Sequence, residues 1–153
     1  MKVKILPPTA QRVFLRTDPL INDEIKKQTA RNIEILKCCN EPELTDRIRN
    51  LNCEWDTERF LEVNAAALIV ISSFLGIKRS RLWFIITGIT GIFMFQHALQ
   101  GWCPLVPFLR KWGVRTADEI NSEKYVLKII RGDFTGIGKE TPSMELIDAA
   151  EKL

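Results

Sequence analysis

Residues 82–109 read LWFIITGITGIFMFQHALQGWCPLVPFL, 28 positions without one Asp, Glu, Lys or Arg in a chain where 27% of residues are charged. A membrane-spanning helix needs about 20 predominantly apolar residues, and this stretch exceeds that length. Upstream, 63–77 is a second uncharged run, and only Lys78-Arg79-Ser80-Arg81 separates the two. Two apolar runs joined by so short a polar loop predict a helical hairpin in a membrane.

The first run is the weaker of the two, because its 15 residues fall short of a full span. Runs of about 10–14 apolar residues are more often core helices of soluble proteins. Adding Phe60 and Leu61 lengthens the run but includes Glu62. A buried hairpin would need most of the remaining chain to cover it, and the flanks offer only narrow apolar stripes. We therefore predict a transmembrane hairpin over 60–109, with spans at about 60–77 and 82–102.

The flanks of the hairpin are charged and predict amphipathic helices outside the membrane. Residues 1–20 contain Pro and show no periodicity, so we expect an extended arm there. We interpret 21–59 as a cytoplasmic helical segment and 110–153 as a cytoplasmic helical tail. The predicted fold class is all-α. Helix starts are expected at Asn22, at Asn40 with Glu43, at Thr116 with Glu119, and at Thr141-Pro142.

Two further expectations concern these flanking helices. No helix breaker lies between Pro42 and Gly76, so one long helix is expected to run from the cytoplasm into the membrane. The helix opened by Thr116 is expected to stop at Gly132 and to lie on the membrane or on the N-terminal helices.

Charge indicates the orientation of the hairpin. The loop carries three basic residues, whereas the regions flanking the two spans carry seven, from Arg47 to Lys124. Basic residues concentrate in cytoplasmic segments near span ends, so both termini are predicted to be cytoplasmic. The N-terminal stretch lacks the apolar core of a secretory signal, and we expect no cleavable signal. A net charge of +3 without a dense basic stripe suits a bilayer surface and excludes nucleic acid as an expected partner.

Polar residues interrupt both spans at their cytoplasmic ends. In an antiparallel hairpin that turns at 78–81, residues pair by counting outward, because both helices rise about 1.5 Å per residue. Glu62 and His97 are then level, and we expect a hydrogen bond between them. The same count places Asn64 level with Phe95 and Gln96, and Arg59 level with Gln100, with Cys103 slightly further out.

Polar groups at membrane depth are costly unless they face each other or a water-filled cavity. Asn64, Gln96, His97 and Gln100 can serve as interhelical contacts that hold a hairpin or a dimer together. Alternatively, the layer forms a small binding site, with candidate ligand-binding residues Arg59, Glu62, Asn64, Gln96, His97, Gln100 and Cys103. Two further alternatives are that these polar residues form a proton path, or that their side chains reach out to the membrane interface.

Cys103 follows Trp102 and precedes Pro104, at a position where a thiol could be reached from the cytoplasm. It either ends the helix and packs at the interface or takes part in redox or persulfide chemistry. One Cys and one His six residues apart are too few ligands for a structural zinc site, and we predict no metal site, no cofactor and no catalytic residue. All four cysteines are expected to be reduced thiols.

Several motifs carry a family resemblance. They are Glu54-Trp55-Asp56-Thr57-Glu58-Arg59, Asn64-Ala65-Ala66, the run from Gln96 to Pro104 (QHALQGWCP), and Gly113-Val114-Arg115-Thr116. Over residues 54–120 the chain resembles the YgaP-like inner-membrane domain family of bacteria, a two-span hairpin of unknown function. The resemblance implies a multi-pass bacterial inner-membrane protein. Some relatives join the hairpin to a rhodanese domain, whereas this chain resembles a subgroup without one.

Two functional hypotheses follow from the sequence. The first is a non-enzymatic membrane anchor or interaction module that forms a homodimer, whose partners are the bilayer and an unidentified protein. Small residues such as Thr87 and Gly91 in the spans support close helix packing and thus a dimer. The second is a membrane accessory for sulfur or small-anion handling. In it Cys103 is the thiol, Glu62 and His97 set its electrostatics, and Arg59, Gln96 and Gln100 bind the ligand.

Overall fold

The structure is a computed structural model, and it describes residues 6–138 and 140–151. Those residues form helices and loops without a strand, which confirms the predicted all-α class. Two short 3-10 helices, Thr9–Gln11 and Phe14–Arg16, precede the α-helices. The α-helices are α1 (Pro19–Leu36), α2 (Glu41–Cys53), α3 (Thr57–Lys78), α4 (Trp83–Gln100), α5 (Val106–Lys111), α6 (Ala117–Arg131) and α7 (Ser143–Glu151).

The chain divides into two compact units, and each combines a segment from before the hairpin with one from after it. The hairpin unit consists of the described residues of Met1–Ile25 together with Trp55–Asp118. The helical unit consists of Lys26–Glu54 together with the described residues of Glu119–Leu153. Both flanks of the hairpin therefore contribute to both units.

Local capping accounts for where the helices begin. At α2, the Asn40 side chain accepts the Glu43 backbone N–H at 3.1 Å and the Glu43 carboxylate accepts the Asn40 N–H, which confirms the predicted start. The first helix begins at Pro19, three residues earlier than expected. Asp18 accepts the Leu20 N–H at 2.8 Å, and proline suits the first helical position. At the other end of the chain, α6 ends before Gly132, whose φ is +89°, as predicted.

The long helix expected between Pro42 and Gly76 is interrupted at residues 54–56. Glu54 and Asp56 have extended backbones, with ψ of 134° and 170°. The Asp56 side chain accepts the Arg59 N–H at 2.8 Å and so caps a new helix. This competing cap ends α2 and starts α3, although neither Pro nor Gly is present.

In the hairpin unit, α3 and α4 pack antiparallel along a polar seam. Ser72 and Thr87 share a hydrogen bond of 2.7 Å between their hydroxyl oxygens. The buried residues of α4 are Thr90 and His97. Large apolar side chains point outward instead, at exposures between 66% and 76%: Val70, Ile77, Ile92 and Phe95. This polarity is the reverse of a soluble helix pair and suits a hydrocarbon environment.

One candidate membrane span is present among the described helices. It lies within Glu41–Lys78, it is mostly exposed, and the apolar run of α3 accounts for it. The last turns of α4 contain Gln96, His97 and Gln100, which lower the mean hydropathy of that helix. α3 and α4 thus pair as a hairpin, and α3 is the helix whose length and hydropathy match those of a membrane span.

The segment expected to be an extended arm carries the two 3-10 helices and contributes to the core of the hairpin unit. Val13 is only 2% exposed and packs with Leu61 of α3, with Cys103, and with Val106 and Leu109 of α5. Burying these side chains ties both ends of the hairpin to the N-terminal segment.

The helical unit has a conventional apolar core. Leu44, Ile48 and Leu51 of α2 recur at intervals of four and three residues and pack against Ile120 and Leu127 of α6. The spacing places all three side chains on one helix face. Of the two environments expected for α6, packing on an N-terminal helix is therefore the one observed for its inner face.

Candidate functional site

The imidazole of His97 is the centre of a buried polar cluster in the hairpin unit. His97 is 2% exposed, and its Nε2 lies 3.0 Å from Oε2 of Glu58. Its other ring nitrogen, Nδ1, is buried without a hydrogen-bond partner among the described residues. The Glu58 contact therefore satisfies one of the two polar atoms of the ring.

The expected partner of His97, Glu62, is exposed, and Glu58 takes its place one helical turn closer to the start of α3. Near the loop the predicted register holds, because Ser72 and Thr87 each lie six residues from the turn at 78–81 and pair as counting requires. Counting along the axis fixes depth but not the direction around the helix. Glu58 shares the inward stripe of α3 with Leu61, whereas Glu62 lies on the outer face.

Arg12 completes what we name the Arg12–Glu58–His97 cluster. Its Nη2 donates to the same Glu58 Oε2 at 3.0 Å, and its Nη1 donates to the carbonyl oxygen of Ala98 at 3.3 Å. The side chains of Arg12 and Glu58 are 22% and 30% exposed. One carboxylate oxygen thus holds a residue of the N-terminal segment and a residue of α4 together, and ion pairs at this level of burial are only partly screened by water.

Glycine at position 101 makes this arrangement possible. Gly101 caps α4 with a φ of +74°, and a Cβ at this position would lie 2.5 Å from the backbone of Arg12. Both the left-handed backbone and the close approach exclude larger residues. The glycine of the QHALQGWCP motif therefore lets the N-terminal segment lie against the end of α4.

Cys103 does not occupy the reachable position expected from the sequence. It is 5% exposed and belongs to the apolar core described above. It also lines an open cavity of about 190 Å³ between α3, α4 and the turn that follows α4. Other lining residues are Asn64, Ala65, Leu68, Thr90 and Met94. Cys103 is thus surrounded by apolar side chains and lies away from the protein surface.

The remaining predicted site residues are spread over the outer surface and the edge of the seam. The guanidinium of Arg59 lies 4.9 Å from the centre of the Trp55 ring. Asn64 donates its side-chain N–H to the Phe60 carbonyl at 2.7 Å, which satisfies that donor within its own helix. Gln96 is half-buried and Gln100 is exposed. Of the seven candidates, Asn64 and Cys103 line this cavity.

Sequence reasoning missed Arg12 and Glu58. Glu58 lies three residues before Leu61 on the stripe that continues through Ala65 and Ser72, so its spacing was available as a signal. Arg12 is 46 residues from Glu58 in sequence, and no local pattern links the two. Within the described residues no group of three His, Cys, Asp or Glu side chains is placed to hold a metal ion.

Charged groups in the helical unit pair inside it rather than forming an open site. Arg47 donates twice to one oxygen of Glu123, at 3.0 and 2.7 Å, and Glu123 is fully buried. Lys128 is 1% exposed and donates to the carbonyl oxygen of Ala150 at 2.7 Å, which links α6 to α7. Burial lowers the pKa of Lys128 from its ordinary value, because removal from water disfavours the ammonium form.

An apolar surface remains on the outer side of α6. We define the α6 outer face as Tyr125, Val126 and Ile129, which are 47%, 37% and 64% exposed and lie one helical turn apart or adjacent. On α7, Met144 and Ile147 are likewise exposed, at 73% and 50%. Monomeric soluble proteins rarely leave such apolar groups together on one helix face, and exposed patches of this kind mark interaction sites.

The hairpin region matches a known protein family. Residues 56–119 match the family described as inner membrane protein YgaP-like, transmembrane domain. This confirms the resemblance noted from the sequence motifs and supports a membrane location for this region. The match begins at Asp56, the residue that caps α3, and ends within the first turn of α6. No curated protein and no solved structure matches the chain at a significant level.

Proposed function

We propose that this chain is a membrane-anchored interaction module of the bacterial inner membrane, which acts as a homodimer and catalyses no reaction. The hairpin holds the protein in the bilayer, and the helical unit presents the surface that binds the second copy. The observation that carries the proposal is the α6 outer face, an apolar surface in a unit whose own core is already complete in α2 and α6.

A second copy of the chain is the partner that this surface suits. Most soluble homo-oligomers are two-fold symmetric, and a helix face can pack against its own symmetry mate. The bilayer further restricts the anchored chains to two dimensions, which raises their effective concentration. The exposed side chains of Tyr125, Val126 and Ile129 would form the apolar centre of such an interface.

The burial of Cys103 favours this proposal over sulfur or small-anion handling. A thiol that reacts with a charged or polar sulfur species must be accessible and ionisable. Cys103 instead packs against Leu61, Val106 and Leu109. Arg59 and Gln100, the residues expected to bind an anion, are exposed and do not share its cavity.

The dimer is tested with the full chain in mild detergent, where native mass spectrometry counts protomers. We expect the wild-type protein to be dimeric and Ile129→Glu to be monomeric at the same concentration, because the carboxylate would be buried in the interface. Asn50→Glu is the matched control, since Asn50 is an exposed polar residue of α2 in the same unit. A monomeric wild-type chain, or a dimer that tolerates Ile129→Glu, would refute the proposal.

We further propose that both α3 and α4 cross the bilayer, with both termini in the cytoplasm. Cys38 and Cys53 are exposed and lie before the hairpin, so they report the side of the N-terminal flank, while buried Cys103 should stay unlabelled. We expect a membrane-impermeant maleimide to label Cys38 and Cys53 only after the cells are opened. Labelling of both in intact cells would reverse the orientation.

A further inference from the structure

We infer that the cavity beside Cys103 holds an acyl chain of a bilayer phospholipid. The cavity of about 190 Å³ lies between α3 and α4 and is closed at one end by the turn that contains Cys103 and Pro104. The cavity is open to the protein surface, and Leu68 in its wall is 45% exposed. The inference rests on the proposal that both helices cross the bilayer.

The chemistry of the lining excludes water as the favoured occupant. Leu68, Phe93 and Met94 provide apolar walls, and two polar side chains of the lining, Asn64 and Thr90, each donate a hydrogen bond within their own helix. Asn64 donates to the Phe60 carbonyl, and Thr90 donates to the Ile86 carbonyl at 2.8 Å. A buried water needs two to four polar partners, and apolar cavities of about 150 Å³ stay dry and take up apolar molecules instead.

Hydrocarbon is the apolar material that surrounds a membrane hairpin. An empty cavity would forfeit the dispersion contacts of every lining side chain, whereas an acyl chain entering from the open side restores them. The methyl group of Ala65 leaves room at the cavity wall that a larger residue would fill, and Ala66, its neighbour in sequence, is exposed and does not line the cavity.

This alanine pair provides the test. The full chain is reconstituted into bilayers that contain a phospholipid with a photoactivatable diazirine on one acyl chain, and the labelled peptides are mapped by mass spectrometry. We expect wild-type labelling at Leu68, Met94 and the 103–105 turn. Ala65→Phe should abolish it, whereas Ala66→Phe should leave it unchanged.

A second variant distinguishes loss of the site from loss of the fold. Leu68→Ala removes a cavity wall, so we expect more labelling at Met94 rather than less. Equal labelling in the wild-type chain and Ala65→Phe would overturn the inference, and so would the absence of labelling at Met94 and the 103–105 turn of the wild-type chain. Failure of the hairpin proposal would appear separately, as recovery of the wild-type protein outside the membrane fraction.

Discussion

The hairpin unit and the helical unit bury opposite kinds of residue. In α4 the buried residues are Thr90 and His97, while Ile92 is 66% exposed. In α6 the fully buried Leu127 faces the core. Helices of similar length within one chain thus bury opposite kinds of residue, a difference that is typical of hydrocarbon around α4 and of water around α6. Whether the polar residues of a helix lie on its buried or its exposed face therefore indicates the surroundings of that helix better than its overall hydropathy does.

The largest expected effect comes from truncating the core of the helical unit. Leu127→Ala should lower its free energy of unfolding by about 2–5 kcal/mol, because the lost burial leaves a cavity. Ile92→Ala in the hairpin should change stability by about 0.5 kcal/mol or less, since its side chain faces outward. Hydrogen exchange of the α2, α4 and α6 amides measures both. Similar losses of stability in Leu127→Ala and Ile92→Ala would contradict the difference between the two units.

Placing a charged residue on the exposed face of α4 tests whether lipid or water surrounds the hairpin. An arginine near the centre of a membrane helix costs about 2.5–3.5 kcal/mol of insertion free energy. We therefore expect Ile92→Arg to shift the protein out of the membrane fraction on carbonate extraction. Tyr125→Arg, at an exposed position of α6, should leave it there. Retention of the Ile92→Arg chain would indicate that water, not lipid, surrounds α4.

Alanine substitutions at two glycines distinguish the cost of backbone strain from the cost of a steric clash. Gly101 and Gly113 have φ values of +74° and +80°, so an alanine at either position costs about 1–2 kcal/mol for the left-handed conformation. Only at Gly101 would the new Cβ meet the Arg12 backbone. We expect Gly101→Ala to cost more than Gly113→Ala and to raise trypsin cleavage at Arg12 and Arg16. Equal cleavage in both variants would show that the N-terminal segment is held elsewhere.

The smallest effect is expected in the polar seam. Ser72→Ala removes the 2.7 Å hydroxyl contact with Thr87, and such bonds in membrane helices contribute about 0.6 kcal/mol on average. Ser73→Ala is the control, because its contact with Thr87 is longer, at 3.4 Å. Steric trapping in bilayers can resolve the difference. A loss above about 2 kcal/mol for Ser72→Ala would mean that the seam contributes more than typical membrane hydrogen bonds.

Most of the fold was predictable because its signals are local. Apolar runs placed α3 and α4, and Asn40, Thr116 and Gly132 marked helix ends at the residues or within one residue of where the structure has them. The break at 54–56 was missed because Asp56 acts as a cap without a proline or glycine beside it. The capping oxygen of Asp56 competes with helix continuation, and the outcome depends on contacts that sequence periodicity does not report.

The candidate site was predicted only in part. Depth counting correctly selected His97 as a buried polar residue, but it gave Glu62 in place of Glu58 because rise along a helix carries no information about direction around it. Arg12 could not be found, since its contacts with Glu58 and Ala98 join residues far apart in sequence. Cys103 was expected near solvent, and the packing of Val13 and α5 buries it instead.

The Arg12–Glu58–His97 cluster has a consequence for biogenesis. An isolated α4 would carry the imidazole of His97 into the lipid phase without the carboxylate that receives it. In the structure, Glu58 in the opening turn of α3 supplies that acceptor. Under the proposed two-span topology, we therefore expect α4 to insert stably only together with α3.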